Sequence, residues 1–183
     1  MQVRQINIQG KKMKKLSIKK YAFFSVLILL GIGIDQLTKL LSVKFLRPVS
    51  TVPIIEDVIH LTYVENRGAA FGMLADSRWV FMLVSSIAII GMLFYLYSGL
   101  ASNRLYEVSL AMIISGGIGN MIDRVALGYV VDMIDFRIIN FAVFNGADSF
   151  VCVGAGLLVL ALILDIVRDT KKAKEKKNDS DGN

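Results

Sequence analysis

The chain has 183 residues, 55% of them hydrophobic, with a mean hydropathy of +0.59 and a formal net charge of +6. That apolar content argues against an ordinary soluble domain and for one compact membrane-embedded unit. The basic residues also argue against a nucleic-acid face: Arg4, Lys11, Lys12, Lys14, Lys15, Lys19 and Lys20 precede the first apolar run, and Arg168, Lys171, Lys172, Lys174, Lys176 and Lys177 follow the last.

Lysine and arginine flanking a span stay on the cytoplasmic side, so both termini are expected there. Residues 1–17 read as a basic cytoplasmic tail in which Met13-Lys14-Lys15 resembles a second start. The apolar run at 21–34 follows basic residues, as in a secretory signal, but lacks a small-residue cleavage site and continues through Asp35 and Lys39 to residue 46. It is predicted to be a retained first span. Asp35 and Lys39 are spaced i, i+4 with the acid first, which suits a same-face pair, although an ordinary snorkelling pair at a helix end has the same spacing.

Pro48 and Pro53 interrupt helix, and the period then changes. Ile59, Leu61 and Tyr63 alternate with His60, Thr62 and Val64, which predicts a half-buried strand with His60 on its exposed side. Asn66-Arg67-Gly68 supplies a turn, and residues 69–74 are a short apolar stretch suited to the membrane surface. Further spans are predicted at 79–97, 105–122 and 150–167, leaving an insert at 47–78 and a charged, disordered cytoplasmic tail at 168–183. The unit from 18 to 167 is thus a membrane all-α fold of four transmembrane helices with a small extracytoplasmic β element. Cys152, the single cysteine, permits no intramolecular disulfide and no cysteine zinc cluster, and is expected to pack within the fourth span.

Four spans impose a parity. Asp35, Lys39, Asn66, Asn120, Asp123, Arg124, Asp132, Asn145 and Asp148 all fall on one membrane face, which cytoplasmic termini make extracytoplasmic. An aspartate at mid-bilayer costs on the order of 3 kcal/mol, so intramembrane acids are functional candidates. With one histidine and no GxxxxGK loop, Ser-His and P-loop chemistry have little support. Two carboxylates sharing a site hold one proton between them and can activate water while protonating a carbonyl, which is aspartic-protease chemistry. A metal–carboxylate site is the rival, though hard cations want more oxygen ligands than a dyad supplies.

The motifs DQLTK (35–39), NRGAAFG (66–72), GNMIDR (119–124), GYVVDMIDF (128–136) and FNGAD (144–148) occur in that order. The set resembles that of lipoprotein signal peptidase, the type II signal peptidase of bacteria. The resemblance implies an intramembrane aspartic endopeptidase of the bacterial cytoplasmic membrane, acting at the extracytoplasmic face. It would cut diacylglyceryl prolipoproteins before the lipidated cysteine, with no cofactor or metal. The same resemblance places the catalytic pair on Asp132 and Asp148, and site support on Asp35, Lys39, Asn66, Gly68, Asn120, Asp123, Arg124, Asn145 and Ala147. Asp123 and Arg124 would form a local brace, and the segment from 53 to 74 would correspond to the family's small extracytoplasmic sheet and short surface helix, which close over substrate. Membrane lipid and cyclic peptide inhibitors of the globomycin type are further implied partners. The spacing from Asp132 to Asp148 is slightly short for the family, which sets residues 137–143 apart from its pattern.

Each sharp reading has a plainer one beside it. Asp148 precedes an apolar helix and suits a capping role, which would also make it the more acidic member and Asp132 the proton holder. Asp135 is expected to be a loop or interface residue. Gly116, Gly117 and Gly119 allow close helix packing. A small proton- or cation-coupled carrier using the same carboxylates is the alternative function, and would need polar groups through the membrane depth.

Overall fold

The computed structural model describes residues 17–68, 78–101 and 103–181. The proposed second start and the surface helix at 69–74 lie outside the described residues. Among the described residues four helices and three strands alternate unevenly: α1 (Ile18–Leu41) continues into a π-helical turn (Ser42–Leu46), then come β1 (Thr51–Ile55), β2 (Ile59–Asn66), α2 (Arg78–Tyr97), α3 (Arg104–Ala126), β3 (Val130–Phe136), a 3-10 turn (Arg137–Ile139) and α4 (Gly146–Asp181).

Local chemistry sets the helix starts. Ser17 caps α1, and the Asn103 Oδ1 accepts the Leu105 and Tyr106 amides at 2.9 and 3.2 Å to cap α3. Glu107, in the first turn of α3, is buried and ion-paired to Lys20 of α1. The helical core joins Phe24 and Ile28 of α1, Ile89 and Leu96 of α2, and Leu110, Ala111 and Ile114 of α3. Outward-facing Leu29, Leu30, Ile87, Ile90 and Ile163 are exposed, the inverse of a soluble bundle. Among the described residues three helical stretches are long and apolar enough to cross a membrane, Ile18–Leu46, Arg104–Ala126 and Gly146–Glu175, and α2 contributes a shorter apolar stretch, Met82–Tyr97.

Helix α3 lies against the other three, and two glycines let it come close. A Cβ at Gly119 would stand 2.5 Å from the Asp35 Oδ2, and one at Gly116 would collide with the Ala147 carbonyl of α4. The packing role expected of the glycine run therefore has a specific consequence: it brings α1 and α4 together around Asp35.

The sheet is antiparallel in the order β1-β2-β3 and sits where α1 and α3 end and α4 begins. Leu46, Val131 and Met133 form its small core. Pro53, which lacks an N–H, lies on the edge strand, where its loss costs least. Leu61 pairs with Ile134 and Val64 with Asp132, so β2 spends three steps where β3 spends two. This bulge reverses the alternation of β2 midway. Simple period-two reading therefore fails beyond Leu61. His60, which precedes the bulge, is buried (5% exposed) and not on an exposed side, because β2 is the central strand and His60 is paired with Pro53 on one side and Asp135 on the other. The tail beyond residue 167 also departs from expectation: α4 runs unbroken to Asp181. Residues 168–181 contain no proline or glycine and are rich in good helix formers, so nothing stops the helix at the end of its apolar part.

Candidate active site

Two buried polar clusters meet at this end of the bundle. The first is built on α1. Lys39 Nζ lies 2.9 Å from Asp35 Oδ2 and 3.1 Å from Asp123 Oδ2, with all three side chains at most 4% exposed. The i, i+4 spacing thus makes a buried pair, not a snorkelling one. Each acid also accepts a backbone amide from another element: Ala147 N–H donates to Asp35 Oδ1 at 2.8 Å, and Val131 N–H to Asp123 Oδ2 at 3.0 Å. Gln36 Nε2 donates to Asp123 Oδ1 at 3.0 Å and to the Gly119 carbonyl at 3.1 Å. This cluster bolts α1, α3, β3 and the start of α4 together. Asp123 braces Lys39 and β3, whereas Arg124 donates to the Asn120 carbonyl at 3.3 Å. The expected Asp123–Arg124 brace is replaced because successive helix residues point about 100° apart.

The second cluster contains Asp132 on β3 and Asp148 in the first turn of α4. Asp132, 1% exposed, accepts from Asn66 Nδ2 at 2.9 Å and from Asn145 Nδ2 at 2.6 Å. The β2 bulge is what places Asn66 on the face of Asp132. Asn66 is itself fixed, since its Oδ1 accepts the Gly68 amide at 3.0 Å. Asn145 and Asp148 satisfy each other: Asp148 N–H donates to Asn145 Oδ1 at 2.9 Å and Asn145 N–H to Asp148 Oδ2 at 3.2 Å. That is the reciprocal pattern of a capping box, with aspartate as its acid. The other Asp148 oxygen, Oδ1, accepts from Asn120 Nδ2 at 2.7 Å.

Asn120 joins the two clusters. Its Oδ1 accepts from Lys39 Nζ at 2.9 Å and from Asn145 Nδ2 at 3.0 Å, which leaves its Nδ2 to face Asp148. Asp132 and Asp148 are therefore linked through two oriented amides, and neither forms an ion pair within 4 Å among the described residues. Burial, opposed by the Asn66 hydrogen bond and reinforced by the Asp148 charge, pushes the Asp132 carboxyl up from 3.8 to about 6. A cavity of about 430 Å³ opens on Asp148 and on the Asn66 and Asn120 amides that hold the pair, with Arg124, Phe141 and Cys152 also in its walls. Cys152 is exposed into this space, one turn beyond Asp148, not packed among helices as expected.

Asp135 stands apart. It is an odd number of residues from Asp132 on one strand, so it faces the other side of the sheet, bonded to Thr62 at 2.8 Å and Arg137 at 3.1 Å. Burial pushes its carboxyl up, but those two hydrogen bonds outweigh it and hold the group below its ordinary value. Among the described residues no three His, Cys, Asp or Glu side chains are grouped to hold a metal ion. Sequence reasoning missed Gln36 and the Val131 amide. Gln36 was legible in principle as the neighbour of Asp35 and an i, i+3 partner of Lys39, whereas a backbone donor has no side-chain signature.

Comparison with known proteins bears on the chain as a whole. The family model described as signal peptidase (SPase) II matches residues 27–164. A lipoprotein signal peptidase of Caldanaerobacter subterraneus is 49% identical over 75% of this chain and 94% of its own length. Its counterpart in Clostridioides difficile is 48% identical over 76% and 94%. Two solved structures, each described as a bacterial membrane enzyme obtained by the in meso method, are both 29% identical to this chain. They superpose with TM-scores of 0.75 and 0.71 and cover 84% and 82% of it.

Proposed function

The chain belongs to the signal peptidase II family, and from that premise we propose that it removes the signal peptide from prolipoproteins in a bacterial membrane, using Asp132 and Asp148 as its catalytic pair. The family membership gives the carrier alternative no support. The observation that carries the aspartic mechanism is the pair itself: a buried Asp132 and a half-buried Asp148, both held by neutral amides, with no cation bound directly to either among the described residues.

In this reading Asp132 holds the proton, as its raised value favours, and Asp148 is the anion. Asp148 takes a proton from a water molecule, whose oxygen attacks the scissile carbonyl carbon, while Asp132 gives its proton to the carbonyl oxygen. Return of protons through the pair lets the tetrahedral intermediate collapse. The C–N bond breaks, and the lipid-bearing segment leaves with a free amino group. Asn120 and Asn145 hold both carboxyl groups at fixed angles, so little reorganisation is needed during the reaction.

The four-span topology, with both termini cytoplasmic and the pair at the extracytoplasmic face, belongs to the same proposal. Residues 18–167 form its peptidase unit and 47–78 its insert. The substrate is a diacylglyceryl prolipoprotein whose chains remain in membrane lipid, and cyclic peptides of the globomycin type would compete for the cavity beside Asp148.

The test incubates purified protein with a lipid-modified prolipoprotein and follows signal-peptide release by mass. Cleavage immediately before the lipidated cysteine, unchanged by chelators, is the expected result. Cleavage elsewhere, or loss on chelation, would contradict the reading.

A further inference from the structure

A second cavity adjoins the same site from the other side. It has a volume of about 510 Å³ and lies between the end of α1 and the sheet, with Leu41, Phe45, Val52, Leu61, Met133 and Gly146 in its walls. We propose that this groove seats an acyl chain of the substrate's lipid group, an assignment that rests on the prolipoprotein reading above.

Position is the first argument. Met133 follows Asp132 on β3, and Gly146 follows Asn145, so the inner end of the groove abuts the amide–carboxylate network at two points. Its mouth opens outward past Leu41 (46% exposed) and Phe45 (61%), in line with the exposed Leu37 and Leu40 of α1. An apolar path therefore runs from the lipid-facing side of α1 to the residues beside the catalytic pair. A lipid attached next to the scissile bond needs such a path.

Chemistry distinguishes the occupant. The walls are apolar except for Thr38 and Ser42, and the Thr38 hydroxyl already donates to the Asp35 carbonyl at 2.8 Å. An extended peptide placed here would bury backbone N–H and C=O groups without partners, whereas an acyl chain has none to satisfy. The cavity beside Asp148 also has apolar walls, but it adds to them the polar side chains of Arg124, Asp148 and Ser149, which a peptide backbone can reach. Peptide and lipid thus have separate seats, divided by the turn from Phe144 to Ala147.

Both walls are irregular where they face the groove. Helix α1 changes to π geometry at Ser42–Leu46, with Arg47 N–H donating to the Ser42 carbonyl at 2.9 Å. Single π turns of this kind concentrate at functional sites. Opposite it, the β2 bulge begins at Leu61. A third apolar groove, of about 450 Å³ and lined by Ile89, Ile118 and Ile122, lies on the face of α3 opposite Asn120 and serves as the control location.

The test uses a synthetic prolipopeptide whose acyl chains end in a photoreactive diazirine, bound to Asp132→Asn protein in lipid nanodiscs. Cross-links mapped by mass spectrometry should fall on Leu41, Phe45, Val52 or Leu61. Adducts confined to Ile89, Ile118 and Ile122, or to Phe141 and Cys152, would overturn the proposal. In parallel, Leu61→Trp and Val52→Trp should raise KM about tenfold for a long-chain substrate, equivalent to roughly two displaced methylenes, with kcat unchanged. The same variants should treat a short-acyl substrate as wild type does. An equal loss on both substrates would contradict an acyl seat. Failure of the wild type to cleave either substrate would instead contradict the protease reading, and the cross-links would still decide the groove.

Discussion

Asp35 and Asp123 differ from Asp132 and Asp148 in what they touch, although all four are aspartates at the same end of the bundle. The first two share one ammonium and each accept a backbone amide, so their charge is partly offset and their bonds tie four elements together. The second two are held by the amides of Asn66, Asn120 and Asn145, which orient a carboxyl group without cancelling its charge. An acid bonded to a cation and to the backbone of another element is committed to holding the fold together. One without a cation costs stability and remains available for chemistry. Asn120 connects the two, with one end on Lys39 and the other on Asp148.

That contrast can be broken from either side. The largest effect is expected for Asp148→Asn, which should lower kcat by about 10²–10⁴ or more, the range for losing a general acid or base. Melting should fall only slightly, by about 1 kcal/mol, because asparagine keeps part of the cap. Lys39→Met should do the reverse. It leaves two buried acids unmatched and should cost about 3–5 kcal/mol by denaturant titration, while Asp35→Asn with Lys39→Met recovers much of the loss. Asp123→Asn should be intermediate, at about 1–3 kcal/mol, with graded rather than total loss of cleavage.

A pH profile sharpens the same division. With Asp132 raised from 3.8 to about 6, the folded protein keeps a proton across that window that the unfolded chain has released. Its contribution therefore makes folding less favourable as pH rises from about 4 to about 6. If that proton is the catalytic one, kcat/KM falls as pH rises through about 6, roughly tenfold per unit beyond it. The smallest effect is expected at Asp135, whose partners Thr62 and Arg137 lie on the other side of the sheet. Asp135→Asn should change stability by less than about 1 kcal/mol and leave the pH profile unmoved.

Much of this site was legible in the sequence because topology gathers it. Alternating spans put Asp35, Asn120, Asp132 and Asp148 at one end whatever their detailed packing, and the i, i+4 spacing of Asp35 and Lys39 anticipated their contact. What sequence missed depends on geometry that periodicity does not encode. The β2 bulge turned Asn66 toward Asp132, and the place of β2 at the centre of the sheet buried His60. The partner of Asp123 was a lysine 84 positions away in the chain, Lys39, not its neighbour Arg124, because helix pitch separates adjacent side chains more than tertiary contact does. Charge alone also misread the last residues: Lys171 and its neighbours suit water, yet water does not end a helix that has no breaker.

The most direct test of the division is signal-peptide release by Asp132→Asn at pH 8, measured by mass on protein whose melting shows it to be folded. The account predicts no release, together with stability equal to or above that of wild type, because the change removes a buried charge without removing an ion pair. Release at the wild-type rate would contradict it.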